Sequence, residues 1–236
     1  MQIGIHLGVE NSEAALMIGG TPQMVEPAKG PTGDGNVFPS YVAFDSQGRY
    51  SCAGLPAKNQ FVHSPDLVVR HFKRLIGRPF DFVAKEIEEG KRFLDEFKDR
   101  IERGDQGELL IRVGKKRYTC EDITSFLLEK IKSDADEYAQ RQLGKGISGA
   151  VITVPVDFDV YQRSAVMAAG EKVFGKGNVG LIEEPFAAVI ARGIEKDQET
   201  IMVVNMDMWI TDVVISCMTG SNKRLVLLSI TRLSDD

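Results

Sequence analysis

The chain has 236 residues, 43% hydrophobic and 27% charged, with a net charge of −5 at pH 7, the balance of a globular protein of one or two domains with a substantial core. The acidic balance and the lack of a long basic run argue against nucleic acid as the main partner; no apolar stretch nears the ~20 residues of a membrane span, and the first residues enter a strand directly, so no signal peptide is expected. Cys52, Cys120 and Cys217 are odd in number and far apart, which predicts reduced, mostly buried thiols in a reducing compartment.

In chain order, Ile3-Gly4-Ile5-His6-Leu7-Gly8-Val9-Glu10-Asn11-Ser12 reads as an apolar strand and a tight turn, with a second strand from Ala14 to Ile18. Turn signals follow at Gly19-Gly20 and from Gly30 to Gly35. Ser64-Pro65-Asp66 reads as a helix start, with serine as cap and proline at the first helical position. Val68, Phe72, Leu75 and Ile76 continue at helical spacing to a stop at Gly77. From Val83 to Asp105 the chain is charged, and Ile87, Leu94, Phe97 and Ile101 are spaced for the apolar face of a solvated helix. Glu108 to Val113 and Tyr118 predict a hairpin around Gly114-Lys115-Lys116.

Thr119-Cys120-Glu121-Asp122 opens the longest helix with a capping box in which Asp replaces Glu. Ile123, Leu127, Ile131, Ala135 and Tyr138 mark its buried stripe. Ala150 to Val154 is a continuous apolar run, hence a strand covered on both faces. Asp159 caps a helix running to Phe174, Val179 to Ile182 is a short strand, and Pro185 to Arg192 is a helix stopped by Gly193. The alternation predicts an α/β core. Thr200 to Val204, Asp212 to Cys217 and Arg224 to Ile230 then read as a three-stranded meander.

The first turn has a counterpart in Met202 to Asp212, again strand, turn and strand. Units of this kind can present backbone N–H groups to a phosphate, so two of them suggest a clamp closing on a nucleotide from both sides. With Gly4-Ile5-His6-Leu7-Gly8, four further motifs carry a resemblance: Phe38-Pro39-Ser40-Tyr41-Val42-Ala43-Phe44, Lys73-Arg74-Leu75-Ile76-Gly77-Arg78, Ala150-Val151-Ile152-Thr153-Val154-Pro155 and Glu184-Pro185-Phe186-Ala187-Ala188. In this order and spacing they resemble the nucleotide-binding domain of the DnaK-type seventy-kilodalton heat-shock chaperones. The resemblance implies an α/β, actin-like ATPase fold, a ribonuclease H-like mixed sheet with helices. It divides the chain into a first lobe over residues 1–193, with 39–114 as its smaller upper subdomain, and the first strands of a second lobe over 194–236. The second lobe is unfinished by the family's measure, so the chain reads as a piece of a longer protein.

What the resemblance implies for the site depends on the matching residues. The family's first turn, Asp-Leu-Gly-Thr-Thr-Asn, falls on His6, Leu7, Gly8, Val9, Glu10 and Asn11. Its Asp lies near magnesium, and its hydroxyls and amides hold phosphate. Magnesium prefers oxygen ligands, so His6 is a poor replacement; as a strand residue it points at the partner sheet or a groove wall. Val9 lacks a hydroxyl, and Glu10 puts a carboxylate where phosphate belongs unless it turns to solvent. Two like charges ~4 Å apart repel by about 4 kcal/mol at an effective dielectric near 20. The second pattern, Asp-Leu-Gly-Gly-Gly-Thr-Phe-Asp, falls on Asn205-Met206-Asp207-Met208-Trp209-Ile210-Thr211-Asp212. Its glycines, which let backbone approach phosphate, are gone; Asn205 lacks the acid, Asp207 adds one, and Asp212 remains. Lys73 and Glu184 match the family's lysine and glutamate that reach the γ-phosphate, the magnesium and the attacking water.

The expectation is therefore a chaperone-like domain in which ATP or ADP with magnesium binds weakly or not at all, with Gly8, Val9, Glu10, Asn11, Asn205, Asp207 and Asp212 as nucleotide-binding positions and no dedicated metal ligand. Hydrolysis is lost or strongly reduced. The role is that of a cytoplasmic co-chaperone or scaffold working with other chaperones, some relatives of this kind acting at the ribosome. An active chaperone ATPase with an unusual clamp is the alternative; a sugar or acid kinase of the same fold is disfavoured by the Lys-Arg-Leu-Ile-Gly and Glu-Glu-Pro motifs. The meander is expected to leave an edge and an apolar face uncovered. Self-association through it would follow, or packing against the first lobe with Trp209 at the contact.

Overall fold

The computed structural model describes residues 1–27, 35–192, 200–206, 210–219 and 224–234. β1 (Gln2–His6) and β2 (Asn11–Ile18) alternate buried and open positions, with Ile3, Ile5, Ala14 and Leu16 turned inward. That is the period-two pattern of strands with one face on a core. They pair antiparallel across the expected tight turn. Gly19 and Gly20, both at positive φ, return the chain as β3 (Thr21–Met24), as the turn signal predicts. Most of the second signal, Gly30 to Gly35, lies outside the described residues.

β4 (Phe38–Pro39) pairs with the start of β2. Next come β5 (Val42–Phe44), β6 (Tyr50–Ala53) and α1 (Leu55–Phe61). The helix expected from Ser64 to Gly77 does not form. Pro65–Leu67 makes one 3-10 turn, Val68–Val69 becomes β7 against β5, and Phe72–Arg74 makes a second 3-10 turn. Two physical causes override the helical spacing. The β-branched pair Val68-Val69 fits the pleated edge offered by Val42 and Ala43, and His71 sits in the left-handed region at φ 55°, which no helix accommodates. Gly77, read as a helix stop, instead permits a close backbone approach, since a Cβ there would lie 2.5 Å from Gln162 Cα.

The apolar face expected over 83–105 is present, but not as one helix. α2 (Phe80–Glu88), a 3-10 turn over Arg92–Phe97 and β8 (Ile101–Arg103) share it, and Leu94 and Phe97 are fully buried. Gly90, at positive φ, makes the break. β9 (Leu109–Val113) and β10 (Lys116–Thr119) form the expected hairpin.

α3 (Cys120–Leu143) begins with the expected capping box: Asp122 N donates to Thr119 Oγ1 at 3.1 Å, and Thr119 N donates to Asp122 Oδ2 at 3.2 Å. Such a cap contributes about 1 kcal/mol. Its five stripe residues are all buried. β11 (Gly149–Val154), α4 (Val160–Phe174), β12 (Val179–Glu183) and α5 (Glu184–Arg192) follow where the sequence places them. The main sheet runs β12-β11-β1-β2-β3, with β1, β11 and β12 mutually parallel. Ile3 is paired with Ala150 in it. Among the described residues β11 is only partly covered on one of its two faces, where its apolar run suggests cover on both. α4 packs on the Ile152 side through Gly170, while Val151, pointing the other way, is 39% exposed. One continuous core joins Ile3, Ile5 and Ile152 to Phe44, Leu94, Phe97 and Ile111, so the upper strands and the main sheet share their interior. The meander is present as β13 (Thr200–Met206), β14 (Ile210–Thr219) and β15 (Arg224–Ser234). No helix among the described residues is long and apolar enough to cross a membrane. Among the described residues Cys52 and Cys120 form no disulfide, and Cys120 is buried.

Candidate functional site

The first turn is locked from beneath. Gly8 N donates to Ser12 Oγ at 3.3 Å, Ser12 Oγ lies 2.9 Å from Ser40 Oγ, and Ser40 Oγ donates to Gly8 O at 2.8 Å. Each hydroxyl has one proton. Since Ser40 gives its own to Gly8 O, Ser12 is the donor between the two, and all the turn's groups in this loop are satisfied. Both serines are buried. His6, at the end of β1, lies on the neighbouring strand, with Nδ1 3.0 Å from Thr153 Oγ1. That contact lies within the main sheet, not at a partner sheet or a groove wall. Asn11 Oδ1 is buried with no hydrogen-bond partner among the described residues.

Glu10 is the position where the structure adds most to the sequence reading. Its carboxylate lies neither bare in the turn nor in solvent. Oε1 binds His71 Nε2, and Tyr41 Oη donates to Oε2 at a long 3.4 Å. The other ring nitrogen of His71, Nδ1, binds Glu96 Oε1. Arg70 Nε closes on Glu96 Oε2 at 3.1 Å, and Arg70 Nη1 donates to Tyr41 Oη at 3.3 Å. Glu10, His71, Glu96, Arg70 and Tyr41 thus form a closed ring of side chains. Burial pulls the His71 pKa down, but the hydrogen bonds to Glu10 and Glu96 outweigh it and hold it above 6.5. The bond to His71 holds the Glu10 carboxyl below its ordinary value against the opposing effect of burial.

A second network lies one step along the chain. Lys73, three residues beyond Arg70, points its Nζ at Glu184 Oε1, 2.7 Å away, and Asn205 Nδ2 donates to Glu184 Oε2 at 2.9 Å. The Lys73 and Glu184 side chains are 7% and 10% exposed. Three expected residues, from a 3-10 turn, the start of α5 and β13, therefore meet. Asp212 is the cross-strand partner of Asn205, though its side chain, like Asp207 and Trp209, lies outside the described residues. Both oxygens of Glu184 are engaged, and among the described residues no group of three or more His, Cys, Asp or Glu is arranged to hold a metal. Sequence reasoning missed Ser12, Ser40, Tyr41, Arg70, His71 and Glu96. An unexplained Arg-His pair inside an apparently apolar helical stripe was the one local signal.

Comparison with known proteins places this geometry in context. The Hsp70 protein family model matches residues 2–223. The chain is similar to the chaperone protein DnaK of Nitrosopumilus maritimus, 35% identical over 205 residues covering 87% of this chain and 27% of that protein. It is also 35% identical to the DnaK of Methanothermobacter thermautotrophicus over 206 residues, 87% of this chain and 29% of the relative. The DnaK of Endomicrobium trichonymphae is 35% identical over 215 residues, 90% of this chain and 29% of the relative. The chain spans under a third of the length of these relatives.

Proposed function

We propose that this chain, which belongs to the Hsp70 protein family, serves as a DnaK-type nucleotide-binding lobe that holds ATP or ADP weakly, hydrolyses ATP negligibly, and contributes to protein folding as a co-chaperone or scaffold for other chaperones. The observation that carries this reading is the engagement of Glu184. Magnesium is bound through carboxylates, water and substrate phosphates. Of the two carboxylates in the described site, Glu10 is bound by His71 and Tyr41, and Glu184 accepts from Lys73 on one oxygen and from Asn205 on the other. His6 and Asn205 supply nitrogen and amide groups where the family has acids, so these residues do not fit a magnesium-centred hydrolysis site. The locked first turn and Lys73 remain suited to an anionic ligand. In this reading 1–193 and 194–236 are parts of two lobes.

Steady-state phosphate release with magnesium and ATP is expected to match a buffer blank. Release well above the blank and abolished by Lys73→Ala would establish the second reading, an active ATPase with an unusual clamp. That reading draws on the 2.7 Å approach of Lys73 to Glu184, a pairing that keeps two charged groups ready beside one another.

Self-association belongs to the same proposal. Met202 and Val204 lie on one face of β13, an outer strand of the meander, and are 63% and 48% exposed. Outer strands with uncovered apolar residues recruit further chains. Light scattering is expected to show concentration-dependent association that Met202→Lys reduces; a monomer at all concentrations would remove this part of the reading.

A further inference from the structure

The ring around His71 has three features that no packing requirement explains together. His71 is the only non-glycine residue at positive φ among the described residues. Backbone conformations of this kind persist only where the surroundings impose them, and they gather at functional positions. Both of its ring nitrogens face carboxylate oxygens, Nε2 toward Glu10 and Nδ1 toward Glu96. A neutral imidazole carries one N–H and one bare acceptor nitrogen. It can satisfy only one carboxylate, so this arrangement requires the doubly protonated cation. The ring also joins separate parts of the fold: Glu10 from the turn between β1 and β2, Tyr41 from the β4–β5 link, Arg70 and His71 from the segment after β7, and Glu96 from the 3-10 turn before β8.

We propose that His71 is a positioning residue for the first turn: as a cation clasped between Glu10 and Glu96 it draws the Glu10 carboxylate out of the turn, and on losing its proton it lets Glu10 return there. Charge bookkeeping supports the first half. Glu10 and Glu96 carry two negative charges, and His71 and Arg70 carry two positive ones, so the closed ring is neutral and the turn is relieved of an acid that would repel phosphate. The Arg100 charge also acts on Glu96. The second half follows from an asymmetry. When His71 is neutral its single N–H serves one carboxylate; Glu96 keeps its ion pair with Arg70 at 3.1 Å in either tautomer, whereas Glu10, once it faces the bare ring nitrogen, keeps the 3.4 Å contact with Tyr41 and the attraction of the Arg70 charge. Glu10 is therefore the carboxylate whose hold depends on the His71 proton, and the tautomer with its N–H on Nδ1, toward Glu96, releases it.

The pH window follows from the two shifts. His71 is raised above 6.5 in the fold, so its contribution to stability is complete below 6.5 and lost as pH rises through the raised value. Glu10 is lowered below 4.5, so its contribution is complete above 4.5 and lost as pH falls through the lowered value. The clasp is closed between these limits.

The test is an NMR titration of the imidazole ring nitrogens in the whole chain, with His71→Gln used to assign the signal. Wild type should keep both His71 nitrogens protonated past pH 6.5, and Glu10→Gln and Glu96→Gln should each lower the midpoint by about one pH unit. The two near-isosteric variants report independently, so misfolding of one leaves the other decisive. A wild-type midpoint at or below 6.5, or one that neither variant moves, overturns the proposal. A second arm, which rests on the nucleotide reading above, follows binding of fluorescent ribose-labelled ADP. Affinity should fall at least about threefold as pH rises through the His71 midpoint and stay flat in Glu10→Gln, in proportion to restoring one nearby charge. Binding that is flat in wild type overturns the return of Glu10 to the turn. No binding at any pH ends the nucleotide reading, and the ring titration alone then decides the clasp.

Discussion

Lys73→Ala is expected to destabilise the chain by about 3 kcal/mol or more, which for a chain of this size lowers the melting temperature by about 8 °C. The magnitude depends on burial. An exposed ion pair contributes about 0–1 kcal/mol, because water and salt screen it. Lys73 and Glu184 are 7% and 10% exposed and 2.7 Å apart, so removing the lysine strands a carboxylate away from water with only the Asn205 amide to receive it. The double variant Lys73→Met, Glu184→Gln removes both charges and keeps the volume. It should recover most of the loss, because a neutral pair of this shape leaves no stranded charge. Thermal melts of the single and double variants decide the matter. A loss below about 1 kcal/mol for Lys73→Ala would mean that the pair behaves as a solvated one.

Gly8→Ala should be nearly as costly, by about 3 kcal/mol, for a steric reason. A Cβ at residue 8 would sit 1.9 Å from Asn11 O and 3.1 Å from Asn11 C, both backbone atoms that cannot rotate aside. The turn would have to open, and the chain of bonds from Gly8 N through Ser12 and Ser40 back to Gly8 O would break with it. Gly4→Ala is the control. It lies in β1, just before the turn, where a Cβ meets nothing closer than Ala15 O at 3.8 Å. It should be neutral or slightly stabilising, since alanine restricts the unfolded chain more than glycine does. Equal denaturant midpoints for the two variants would show that the first turn tolerates a side chain.

The elements legible in the sequence were those whose signal lies in neighbouring residues. Thr119 and Asp122 are three apart and cap α3 by themselves; Asp159 and Gln162 do the same for α4. Gly19-Gly20 turns the β2–β3 hairpin, and the alternation in β1 and β2 marks their buried faces. The motif order from Ile3 to Glu184 indicated the fold and singled out Lys73 and Glu184, and the second clamp pattern singled out Asn205; the structure brings the three into contact. The helical spacing from Val68 to Ile76 misled because spacing records which residues are apolar, and a strand plus two 3-10 turns can bury the same residues. Continuity in β11 misled likewise, since apolar residues on both faces do not guarantee cover on both.

The sequence by itself determined the secondary structure wherever a cap, a glycine turn or an alternating stripe was complete within a few residues, and it determined the chemical identity of each altered clamp position. Only the tertiary structure decided what those positions do. Glu10 and His71 are 61 residues apart in the chain, His71 and Glu96 are 25 apart, and Lys73 and Glu184 are 111 apart. Charges at such separations have no local signature. Whether an acid is a bare charge in a phosphate turn or one member of a neutral ring depends on which partners the fold delivers to it, because the energy of a carboxylate is set by the hydrogen bonds and opposite charges within a few ångströms and by how little water reaches it.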